Sequence, residues 1–168
     1  MVALVLSVFL LGCAEPLPAE GGGGQAQDYL PQDGQFSTFI PADNPDGPAL
    51  WLLAETDLWT LKLGPRWADA SPWAVWSVDS ADGLVLNDQT LLPARPETGW
   101  VSDDQASGGA SAEIVDIGQA TAWYGTFPVA ATLETTGSPL EGEQVFAVGL
   151  GLVVFEIGGE RWELAYYE

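Results

Sequence analysis

Apolar residues in this chain alternate over short runs, and Gly, Pro, Asn or Asp ends each run before a helix could establish itself. Successive side chains on a strand point to opposite faces, so this rhythm predicts strands separated by tight turns. Trp59, Leu61 and Leu63 are expected on one strand face, with Leu58, Thr60 and Lys62 on the other. Residues 73–78 alternate in the same way, although both faces there are largely apolar. Near the end, residues 152–157 and 161–167 are joined through Gly158-Gly159, a pair able to adopt the positive φ of a primed hairpin turn. Trp162, Leu164 and Tyr166 are expected to share a face of that second strand, opposite Arg161, Glu163 and Ala165.

The middle of the chain fits the same pattern. Asp79-Ser80-Ala81-Asp82-Gly83 reads as a turn feeding the strand Leu84-Val85-Leu86. Pro93 and Pro96 oppose a helix, because each lacks the amide that a helix interior needs. Residues 103–111 form a polar, glycine-rich loop ahead of a strand at about Glu113 to Ile117. The expected fold is all-β: a mainly antiparallel, strongly curled sheet, closed into a barrel or half-barrel.

Charge and side-chain chemistry then remove whole classes of function. Asp and Glu number 24 against four basic residues, for a net charge of −20. The basic residues are Lys62, Arg66, Arg95 and Arg161, which form no footprint able to neutralise phosphates, so nucleic acid is excluded as a partner. Anionic headgroups are equally poor partners for the folded part. A chain without His has no Ser-His or Cys-His nucleophile and no imidazole base. Cys13 is the single cysteine, so neither an intramolecular disulfide nor a cysteine-ligated zinc is available. These absences point to a protein that is not an enzyme and carries no cofactor.

The N-terminus has a different composition. Residues 2–11 are uncharged and almost wholly apolar, too short to cross a hydrocarbon core yet matched to the apolar stretch of a signal peptide. They run into Leu10-Leu11-Gly12-Cys13, which resembles the lipobox of bacterial lipoproteins. That resemblance implies cleavage before Cys13 and acyl chains on its sulfur, which would hold the protein to a membrane. It implies export to the bacterial cell envelope, and Ala14 in place of an aspartate favours the outer membrane. The expected organisation is a signal peptide at 1–12, a lipidated Cys13 with a flexible tether to residue 27, and one all-β domain over 28–168. The run Gly21-Gly22-Gly23-Gly24 gives the tether its flexibility.

Several short motifs of the folded part carry a second resemblance. Asp28-Tyr29-Leu30-Pro31-Gln32-Asp33-Gly34, Asp82-Gly83-Leu84, Leu91-Leu92-Pro93 and Gly99-Trp100 follow the order seen in TapB-like secreted bacterial domains. Gly125-Thr126-Phe127, the run from Val145 through Gly149-Leu150-Gly151 to Val153, and the closing residues 159–167 complete it. Val148 and Val154 stand where that family carries other residue types. The resemblance implies an all-β body outside the cytoplasm and assigns no catalytic residue.

Four residues are candidate ligand or partner contacts. Gly149 and Gly151 bare one face of an expected strand, which suits a bend in a curling sheet or a ligand lying on the backbone. Of the eight tryptophans, most have strand-like settings that favour the core, whereas Trp67 and Trp100 fall in expected loops. Asp43-Asn44-Pro45-Asp46-Gly47 and Asp103-Asp104 lack the spacing of a calcium loop and are explained by turn chemistry. The expected role is a non-enzymatic module binding an envelope protein or polymer. The alternative is a carrier holding a small apolar or sugar ligand in a Trp-lined curled sheet.

Overall fold

The computed structural model describes residues 24–64, 66–79, 83–86, 88–102, 110–137 and 140–168. The expected leader, Cys13 and the tether as far as residue 23 lie outside these residues, as do the centre of the turn at 79–83 and residues 103–109.

The chain is all-β. Its first six strands are β1 (Phe36–Pro41), β2 (Ala49–Glu55), β3 (Leu58–Gly64), β4 (Ser71–Asp79), β5 (Gly83–Leu86) and β6 (Gln89–Pro93). The other five are β7 (Ser111–Ala122), β8 (Gly125–Thr136), β9 (Gly142–Ala147), β10 (Gly151–Ile157) and β11 (Glu160–Tyr167). All eleven belong to one antiparallel sheet in the order β6-β5-β4-β3-β2-β1-β11-β10-β9-β8-β7. Every neighbour in that order is also a neighbour in the chain, except where β1 meets β11. The sheet is therefore a simple up-and-down ring, nearly closed into a barrel, whose ends β6 and β7 come close without a shared ladder.

Local chemistry explains the turns. Gly158 and Gly159 have φ of 61° and 81°, so the β10–β11 hairpin closes through a two-residue turn with both residues left-handed. At the other β10 end the expected continuous strand from Val145 to Val153 is broken. Ala147 pairs with Gly151, and residues 148–150 form the turn between β9 and β10. Gly149 (φ +76°) and Gly151 (φ +73°) are needed there because other residues rarely take that conformation. The bareness inferred from the sequence is real, but it belongs to a chain reversal rather than to a strand face.

Bulges reassign faces elsewhere. The β1–β11 register pairs Thr38 with Tyr166 and Phe39 with Leu164, leaving Ala165 as an extra residue. Trp162 and Leu164 are buried as expected, but Tyr166 beyond the bulge is 52% exposed while Tyr167 packs against the core. On β4, Trp73 is the extra residue between Pro72, opposite Lys62, and Ala74, opposite Leu61. Trp59 and Leu61 face inward, whereas Leu63 near the strand end is exposed.

The inside of the barrel is filled by one apolar cluster. Phe39 meets Phe155 edge-on with ring centroids 4.8 Å apart. Trp59 on β3 meets Phe146 on β9 at 6.2 Å, although four strands separate them in the sheet order. That contact spans the interior. Tyr29, on a single 3-10 turn at residues 26–29, is fully buried in the same cluster. Burial, helped by the charge of Asp28, pushes its hydroxyl up to about 12, and the hydroxyl has no hydrogen-bond partner among the described residues. The Ala26 amide donates to Ala94 O at 3.2 Å and Ala26 is itself buried, so the folded body takes in residues that the sequence assigned to the tether.

One segment covers the β7 side of the seam. Residues 99–102 run along the outer edge of β7, with Gly99 N donating to Ile114 O at 2.8 Å and Ile114 N to Trp100 O at 2.9 Å. Ser102 N donates to Ala112 O, and Ser102 Oγ accepts from Ala112 N, both at 2.8 Å. An edge whose amides are so occupied no longer templates pairing with another chain.

The two turn glycines make a graded prediction. A Cβ on Gly151 would fall 2.6 Å from Pro31 Cδ, whereas one on Gly149 would meet nothing within 4 Å. Gly149→Ala is expected to lose only the left-handed backbone penalty, about 1–2 kcal/mol. Gly151→Ala should lose more, because steric displacement of Pro31 adds to the same penalty. Equilibrium denaturation of the two variants measures the difference, and equal losses would contradict this packing.

Candidate functional site

One end of the barrel gathers features that the core does not need. Strand directions bring together the β9–β10 turn, the start of β1, the end of β11 and the N-terminal segment at this end. Gly149 N donates to Asp28 O at 2.7 Å, and Gln35 Nε2 donates to Leu150 O at 3.0 Å and to Ser37 Oγ at 3.1 Å. Asp33 Oδ1 accepts from Thr56 N at 2.7 Å, tying the segment to the β2–β3 turn. That bond, together with a further one to the Thr56 side chain, holds the Asp33 carboxyl below its ordinary range. Between these pieces lies an open groove of about 420 Å³, with Gly34, Gly149, Asp33, Tyr167 and Glu168 among its lining residues.

The β7–β8 hairpin reaches the same end. Both strands are 12 residues long, and their register slips between Ile114 and Asp116 and between Gly118 and Ala120. Beyond the Ala130–Ala147 pair the hairpin overruns β9, and its tip reaches β11, where Tyr124 N donates to Leu164 O at 2.7 Å. Such bulges bend a ribbon and sharpen its twist. Ala122 and Phe127 are buried in the core cluster, while Trp123 and Tyr124 at the tip are 59% and 48% exposed. The Tyr124 and Tyr167 rings lie 5.1 Å apart at 58°. A hydrogen bond to the Tyr124 side chain holds the Tyr167 hydroxyl protonated above its usual range. Tyr166, from the outer side of the bulge, donates to Glu168 Oε2 at 3.4 Å.

The four sequence candidates are scattered. Gly149 lines the groove, whereas Gly151 lies against Pro31. Trp67 lies on a 3-10 turn (Trp67–Asp69), edge-on to Phe36 at 5.2 Å and with Lys62 Nζ 4.0 Å from its ring centre. Trp51, opposite Lys62 and Thr38 in the register, is 8% exposed, so this outer face is covered locally. Trp100 is half-buried against the core, on the segment that edges β7. Neither tryptophan is freely exposed; Trp123 and Trp73, the latter 42% exposed, are.

Sequence reasoning did not single out Trp123, Tyr124 or Tyr167, and it placed Tyr166 with Trp162 and Leu164, although a signal was present. Adjacent residues in a strand point to opposite faces, so a pair such as Tyr166-Tyr167 must send one ring outward. Tyr124-Gly125 at a hairpin tip is a similar marker.

The opposite stretch of the sheet is acidic. Glu113 pairs with Glu134, which pairs with Glu143, and Glu156 pairs with Arg161. Arg161 bonds Glu143 and, through Nε at 2.8 Å, Glu163. Burial acts against its charge, but these partners outweigh that and raise its pKa. Partial burial, and then the charges of Glu143, Glu156 and Glu113, raise the Glu134 pKa above the ordinary glutamate value. Among the described residues no set of three metal-ligating side chains converges. The loop at 43–47 is closed by its own backbone, with Gly47 N donating to Asn44 O at 2.9 Å.

A carboxylate with a raised folded pKa holds its proton more tightly in the folded state, so its destabilising effect fades as pH falls through that value towards the unfolded one. Glu134→Gln is therefore expected to be more stable than the parent at pH 7. The gain should shrink in high salt and on acidification into the carboxylate range, as thermal melts across pH would show. A variant that melts below the parent at pH 7 would contradict the repulsion. Comparison with known proteins finds no matching family model, no similar characterised protein and no similar solved structure.

Proposed function

We propose that this chain is an exported lipoprotein of a bacterial envelope, anchored through acyl chains on Cys13, whose barrel is a non-enzymatic binding module. Its partner is an envelope polymer or protein, met through the aromatic end of the barrel. The observation that carries this reading is how the aromatic residues are divided. The interior is spent on packing, with Trp59 against Phe146 across the barrel, while Trp123, Tyr124 and Tyr166 are presented outside. An apolar carrier would have to displace that cross-barrel contact, whereas a surface module needs exposed rings on a rigid support. Aromatic side chains suit this role because they bring large contact area at low cost in conformational entropy. The charge of −20 argues against a polyanionic partner and for attachment by lipid.

Two experiments separate anchor from module. Cys13→Ser should move the protein from the membrane fraction of its host to the soluble fraction. Full retention in membranes would sink the anchor. For the module, the insoluble envelope polymer of the host should co-sediment with the parent protein. The double variant Trp123→Ala, Tyr124→Ala should lose most of that binding with its melting temperature nearly unchanged. Equal binding by both proteins would overturn the aromatic end as the contact.

A further inference from the structure

The groove beside Tyr167 has a composition that narrows its occupant. Its floor is bare backbone: a Cβ on Gly34 or Gly149 would meet no atom within 4 Å, and their φ of +80° and +76° disfavours any other residue. One wall is aromatic, since Tyr167 lines the groove and Tyr124 packs on Tyr167, carrying ring surface from the groove to the hairpin tip. The carboxylates of Asp33 and Glu168 stand in the lining, and no Lys or Arg does. The space is open rather than enclosed, and its 420 Å³ falls within the range of ligand sites.

We infer that this groove binds a neutral polysaccharide, a chain of uncharged hexose or N-acetylhexosamine units; the inference rests on the binding-module reading above. A sugar ring offers apolar C–H faces that stack on phenols and hydroxyls that donate to carboxylates and amides. Bare glycine backbone lets a wide ring approach closely. Asp33, held ionised by its bonds to Thr56, keeps lone pairs for a hydroxyl donor. An acidic polymer would meet these carboxylates and a net charge of −20, which excludes it. A cationic peptide would also be drawn to the acids. The aromatic wall and the bare glycine backbone, however, favour a flat-faced ligand over a flexible cationic chain.

The test is calorimetric titration of the full chain with neutral glucose and N-acetylglucosamine hexamers, against polygalacturonate and hexalysine. A neutral hexamer is expected to bind and the two charged probes to bind more weakly. Tyr167→Ala should weaken the hexamer by about tenfold, the size of one lost aromatic contact, and Tyr167→Phe by much less. Should Tyr167→Ala fail to fold, Tyr124→Ala at the exposed tip still has to weaken the hexamer. If no neutral hexamer binds, or hexalysine binds better, the ligand class is wrong. Should envelope co-sedimentation nevertheless depend on Trp123 and Tyr124, the binding module survives that loss; if co-sedimentation fails as well, both readings fall.

Discussion

The antiparallel ladder between β1 and β11 is the contact on which the rest of the structure depends. Without it the chain would be two separate meanders, β1–β6 and β7–β11, each with two open edges. Phe36 N donates to Glu168 O at 2.9 Å and Glu168 N to Phe36 O at 3.0 Å, so the ladder extends beyond the strands themselves. Joining the ends makes a ring, and the ring brings β3 opposite β9, where Trp59 and Phe146 meet. The pairing is remote in sequence, so it is slow to find during folding. The bulge at Ala165 belongs to the same ladder and turns Tyr166 outward.

Closure leaves one seam, and the molecule treats its sides differently. The β7 edge is occupied by residues 99–102, with Trp100 packed against the core. The interior is filled by the apolar cluster, so the proposed binding falls to the rim. There the long β7–β8 hairpin and the N-terminal segment supply surfaces that the staves lack. Carboxylates crowd the β7–β10 side, and Arg161 relieves only one end of that row.

What could be read from sequence was what local chemistry decides. The Gly158-Gly159 hairpin, the strand at 84–86 and the inward Trp162 and Leu164 follow from alternation and turn residues, and the structure has them. The curled antiparallel sheet followed from the same signals. Bulges were not legible, because one extra residue is chosen by the partner strand and not by its own neighbours. Tyr166 was therefore expected on the face of Trp162 and Leu164 when it turns outward, and Gly149-Leu150-Gly151 read as strand when it closes a turn. Trp67 and Trp100 looked exposed because they lie in loops. Phe36 and Lys62 in one case, and the core in the other, cover them through contacts remote in sequence.

The N-terminal segment also fixes how the molecule can be held. Ala26 bonds Ala94 and Asp28 bonds Gly149, so the chain enters the barrel at the end that carries the groove and the hairpin tip. Under the proposed lipid anchor, that rim faces the bilayer rather than the open space beyond it. Chain geometry lets the stretch from Cys13 to Gly24 span at most about 40 Å, which sets the height of the groove above the lipid. A pull through that stretch reaches buried Tyr29 first and then β1, which ladders with β2 and β11 hold on both sides. Under that proposal, the groove and the hairpin tip would lean towards the lipid that holds the chain.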